Sequence, residues 1–133
     1  MTITDTYTDW RILCDKWLSA WTGDKPANLL EFYTDDVFYL DPANPSGIIG
    51  HERLLKYFEK LLNRNPNWQW EALEIFNTEK GFTLKWKATV PVKGDVCILQ
   101  GLDIVEMRGD KISRNEVYFD RVRWLALMKA GSL

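Results

Sequence analysis

A chain of 133 residues with a formal charge of −2 is long enough for one domain with its own core. Its 17 Lys and Arg form no basic run, which argues against a nucleic-acid surface, and no apolar run approaches the roughly 18 residues of a membrane-spanning helix. Seven Trp, six Phe and five Tyr favour a core, or a pocket for a flat organic ligand.

The start, Met1 to Tyr7, lacks a basic segment ahead of an apolar one, so no secretory leader is expected. Trp10, Leu13, Cys14, Trp17, Leu18 and Trp21 then trace one stripe of a helix, with Thr8 or Asp9 as its cap and Gly23 as its stop. Pro26 opens a second, short helix running to Tyr33. Asp35-Asp36 reads as a turn and Val37 to Asp41 as a strand, ended by Pro42 and a loop rich in Pro, Asn, Ser and Gly up to Gly50. A third helix is expected from His51 to Asn63, with Leu54, Leu55, Phe58, Leu61 and Leu62 on its apolar face. Four strands follow, over residues 68–78, 82–90, 96–108 and 112–119, separated by turn signals that include Lys80-Gly81, Lys93-Gly94-Asp95 and Gly109-Asp110. Residues 122–129 form either a short helix or an extended tail.

Helices at one end and a strand meander at the other predict a single α+β domain over residues 1–133. Three helices on the concave face of a twisted sheet leave a pocket where they do not fill it. In the long strand, Leu99, Gly101, Asp103, Val105 and Met107 share one face, while Ile98, Gln100, Leu102, Ile104 and Glu106 share the other. Both faces are largely apolar and the helices cover only one, which predicts a homodimer through the convex face. Cys14 and Cys97, far apart and in apolar contexts, read as buried free thiols of a cytoplasmic protein. One histidine without a cysteine cluster argues against a zinc site.

Two carboxylates stand out. Asp103 lies mid-strand among apolar neighbours, where burial favours its neutral, hydrogen-bond-donating form. Asp41 ends the first strand at the more hydrated mouth of the expected pocket. Opposite environments make the two a candidate acid and base pair. Trp17 and Trp86 face inward on their patterns, and Asn115 and Phe119 share the inner face of the last strand. Asp120 reads as the cap of the last helix.

The segment Phe32-Tyr-Thr-Asp-Asp-Val-Phe-Tyr-Leu-Asp-Pro42, followed by a loop to Gly50 and a helix, resembles the nuclear transport factor 2-like superfamily. Its cone-shaped members include ketosteroid isomerases and SnoaL-like polyketide cyclases, and the likeness spans nearly the whole chain. It implies a curved mixed or antiparallel sheet wrapped around three helices. Asp41 falls in the place of the isomerases' catalytic base, Asp103 in that of their oxyanion-hole acid, and Tyr33 in that of a pocket tyrosine. Their first-helix tyrosine falls at Lys16 or Trp17 and a supporting one at Phe58, with Tyr57 adjacent. SnoaL-like cyclases use a pocket aspartate without metal or cofactor. The resemblance therefore implies a cofactor-independent isomerase or cyclase acting on a small hydrophobic carbonyl compound. Asp41 and Asp103 would be catalytic, and Trp17, Tyr33, Phe58, Trp86, Leu99, Asn115 and Phe119 would bind the ligand. The alternative is a non-catalytic ligand-binding or interaction domain on the same fold.

Overall fold

The computed structural model describes residues 9–131. The expected cap Thr8 and the leader question at Met1 to Tyr7 lie outside them. Helix α1 spans Arg11–Ser19 and α2 spans Pro26–Leu30. Strands β1, Tyr33–Asp41, and β2, Asn44–Ile49, precede α3, His51–Arg64. Then come β3, Gln69–Asn77; β4, Gly81–Val92; β5, Asp95–Arg108; β6, Lys111–Phe119; and α4, Val122–Gly131.

The six strands form one curved, unclosed sheet in the order β2-β1-β6-β5-β4-β3. Among the described residues only the β1–β6 pair is parallel, so the sheet is mixed. The α+β architecture is as the sequence predicts. The helices fill the concave side: Cys14, Trp17 and Leu18 of α1, with Leu54, Phe58 and Leu62 of α3, are buried. They meet the inward stripe of β4, where Phe82, Leu84, Trp86, Ala88 and Val90 are buried. None of the described helices is long and apolar enough to cross a membrane.

Three differences from the sequence reading have local causes. The second helix stops at Leu30 and not at Tyr33, which instead opens β1. The loop after Asp41 holds β2, which returns along β1 through a short turn at Pro42-Ala43. Pro45 is tolerated because β2 is an edge strand. Gly47 has φ +86°, and a Cβ there would lie 2.3 Å from the Phe38 ring, so its glycine is a packing requirement. Asp35-Asp36 is not a turn: both lie in β1, where pairing with β6 slips between Tyr33 and Phe38. Asp36 there accepts Arg108 Nη1 and Thr34 Oγ1, each at 2.9 Å. Of the two readings of the last segment the helix holds, the fourth among the described residues, and as expected of its cap Asp120 accepts the Val122 N–H, through Oδ1 at 2.9 Å.

Candidate functional site

Between the sheet's concave face, α1, α3 and α4 lies a cavity of about 420 Å³, within the size range of small-molecule sites. Its wall is aromatic: Trp21, Trp68, Trp70, Trp86, Phe119 and Trp124 all line it. The rings stack edge to face, with Trp70 and Trp86 centroids 4.9 Å apart and Trp68 and Trp124 5.6 Å apart. Helix α4 contributes Trp124, Leu125 and Met128, so the segment that sequence left between helix and tail closes one side. The Nε1–H groups of Trp68 and Trp70 are buried without an acceptor among the described residues.

Asp103 sits in this wall, 5% exposed. Strand alternation points it inward with Leu99 and Val105, and on β4 Trp86 points the same way. Trp86 Nε1–H donates to Asp103 Oδ1 at 2.7 Å, and Asn115 Nδ2 donates to Oδ2 at 2.9 Å. Behind Asn115 the chain of bonds continues: its Oδ1 accepts the Tyr33 hydroxyl at 2.9 Å, whose oxygen accepts Trp17 Nε1–H at 3.1 Å. An indole nitrogen can only donate. Trp17 therefore makes the Tyr33 oxygen an acceptor, Tyr33 gives its proton to Asn115 Oδ1, and Asn115 must present its amide N–H to Asp103. Both protein partners of Asp103 are donors. When Asp103 carries a proton, that proton has no acceptor among these partners and is free for a group in the cavity. Burial pushes the Asp103 carboxyl up to about 7, against the pull of the Asn115 and Trp86 bonds and with added help from the charge of Asp41.

Asp41 also lines the cavity and is 6% exposed. Its Oδ1 accepts the N–H groups of Ala43 and Asn44 and the Asn44 side-chain amide, each at 2.9 Å. Its Oδ2 accepts the hydroxyls of Tyr39 at 2.8 Å and Tyr57 at 2.5 Å. Five donors occupy a group with about four lone-pair sites. Burial and the neighbouring Asp41 charge hold both phenols well above the usual tyrosine range, so they stay neutral donors.

Of the nine expected site residues, Asp41, Trp86, Asp103 and Phe119 meet in the cavity wall. Trp17, Tyr33, Phe58, Leu99 and Asn115 are not among the residues that line it. Trp17, Tyr33 and Asn115 lie one layer deeper, turned toward one another by the hydrogen-bonded chain behind Asp103. Phe58 is fully buried, packed between the rings of Trp21, Tyr33 and Tyr39. The neighbouring Tyr57 instead brings a phenol to the cavity. Leu99 is buried in the core. Sequence reading missed Tyr57, Leu61 and Arg64 as wall residues. Their i, i+4, i+7 spacing is the signal, a stripe along the edge of the apolar face of α3 that shares Leu61 with it.

A family model described as a SnoaL-like domain matches residues 14–115, which include both aspartates. The chain belongs to the SnoaL-like domain family. Solved structures carry the same fold at low identity. A protein of ketosteroid isomerase-like fold from Catenulispora acidiphila, in complex with trimethylamine, superposes with a TM-score of 0.77 at 19% identity, covering 88% of this chain and 92% of that one. A protein from a Jannaschia species, described as a SnoaL-like polyketide cyclase, gives 0.75 at 10% identity, over 90% and 91% of the two chains. One from Streptomyces galilaeus, described as a hydroxylase, gives 0.72 at 14%, over 90% and 95%. No match was found among curated proteins. Likeness at this identity shows the fold alone, so function has to be argued from the cavity itself.

Proposed function

We propose that this SnoaL-like domain is a cofactor-independent enzyme that moves a proton on a small hydrophobic carbonyl compound, as an isomerase or aldol-type cyclase requires. The observation that carries the reading is Asp103: a buried carboxyl at a cavity wall, titrating near 7, whose proton has no acceptor among the donors that hold it. Protonated Asp103 donates to the ligand's carbonyl oxygen. As the enol forms, the oxygen takes that proton, and the lone pair it leaves on Asp103 accepts the proton from the adjacent carbon. One carboxyl thus acts as acid and then as base, a role worth about 10²–10⁴ in rate. Five donors already hold Asp41, which favours Asp103 for the base step as well. Its charge raises Asp103 and its oxygens fix Tyr39 and Tyr57.

Turnover of a carbonyl compound that binds the cavity is expected to fall about 10²–10⁴-fold in Asp103→Asn. In the native protein it is expected to decline as pH rises through about 7, where Asp103 loses its proton. Undiminished turnover in the variant contradicts the assignment. The full occupancy of Asp41 favours a second reading, a ligand-binding domain without turnover; there Asp103→Asn changes affinity alone. We further propose a homodimer through the convex sheet face, supported by the exposed Ile98, Leu102 and Tyr118. A cytoplasmic setting is supported by the free, buried thiols of Cys14 and Cys97.

A further inference from the structure

We propose that the cavity selects ligands carrying an anionic group, held at its mouth by Lys60, Arg64 and Arg121. The inference deepens the reading above and rests on it for the cavity being a ligand site. Lys60 and Arg64 stand one helical turn apart on α3 and both line the cavity. Arg121, between β6 and α4, lines it too. Lys60 and Arg64 are exposed and Arg121 is half-buried, which puts them at the opening, whereas Asp103 is buried in the wall.

The three cations are uncommitted. Arg108 and Arg114 are paired with Asp36, Glu106 and Glu116. Among the described residues no carboxylate forms an ion pair with Lys60, Arg64 or Arg121. Asp24 and Glu59 border Lys60 and Arg64 on the outer surface without pairing with them. Asp41 lies in the cavity, but its oxygens are taken by five donors. With Asp103 protonated, three cations face one occupied carboxylate on the lining, in a chain whose net charge is −2. The excess is local. A neutral hydrophobe uses none of it. An aromatic body bearing a carboxylate fits all three parts: rings against Trp70 and Trp86, an acceptor oxygen at Asp103, and an anion on the Arg forks and the Lys60 ammonium.

The test is calorimetric titration with a matched pair, 2-naphthoate and its neutral analogue 2-acetylnaphthalene, on the full chain. The expected result is tighter binding of the naphthoate by about tenfold or more, with roughly two- to fivefold of that preference lost for each cation removed in Lys60→Gln, Arg64→Gln and Arg121→Gln. Raising NaCl from about 0.05 to 0.5 M is expected to weaken the naphthoate alone. All three positions are at least partly exposed, and circular dichroism checks that the variants keep their fold. Equal affinity for the pair, or a preference that survives the triple variant, overturns the anion assignment and leaves the ligand site standing. Binding of neither compound overturns both.

Discussion

At the residue scale the account turns on where one proton goes. Asp103 was legible in sequence because a lone carboxylate in the middle of an apolar strand has few cheap explanations. The bonded pair behind Asn115 was not legible, because Trp17 and Tyr33 come from separate elements and meet only in the fold. Asp41 was legible as a cavity residue, but not the five donors around it, two of them backbone amides in a turn. The titration of Asp103 has a consequence for stability with a definite sign. Its ordinary value is 3.8 and its folded value about 7. Below pH 4 both states hold the proton; from about 4 to 7 only the folded state does; above 7 neither does. Stability from this group is therefore present at low pH and lost as pH rises through that window, on the order of 4 kcal/mol in all. Urea unfolding across pH 4 to 8 is expected to show the native protein losing stability relative to Asp103→Asn as pH rises. A pH-independent difference between the two contradicts it.

At the element scale, periodicity found α1, α3, the apolar faces of β4 and β5, and the meander from β3 to β6. It failed where tertiary contacts override local signals. Strand β2 hides in a Pro-Ser-Gly segment because an edge strand tolerates Pro45, and because Gly47 is there to admit the Phe38 ring. Helix α4 has apolar residues on several sides, and only the cavity it covers gives them a use. The β4–β5 pair carries the most demanding fit. Gly101 lies opposite Trp86, and a Cβ at Gly101 would stand 2.4 Å from Trp86 Cζ2 and 2.7 Å from the Tyr118 carbonyl oxygen. The indole needs that space to reach Asp103. Gly101→Ala is expected to cost about 1–3 kcal/mol and to move the Trp86 Nε1–H resonance in NMR spectra. An unshifted resonance with unchanged stability contradicts the packing argument.

At the scale of the whole molecule, the cone, its α+β class and its family were legible from one segment and from the order of elements. The cavity's contents were not, because Trp68, Trp70 and the α4 residues Trp124, Leu125 and Met128 line it without carrying a motif. The convex face leaves Phe76, Val96, Ile98, Leu102 and Tyr118 between 43% and 50% exposed. An apolar surface of this kind is suited to a second copy of the chain. Sedimentation at micromolar concentration is expected to show a dimer that Ile98→Glu or Leu102→Glu dissociates; a monomeric native protein contradicts it. The same scale links the two aspartates, which line one cavity and of which Asp41 helps to raise Asp103. The most direct test of the central claim is therefore an NMR titration of the Asp103 carboxyl in the native protein and in Asp41→Asn. The account predicts a midpoint near 7 in the native protein and a lower one in the variant, where the neighbouring charge is gone. A native midpoint near 4 would contradict it.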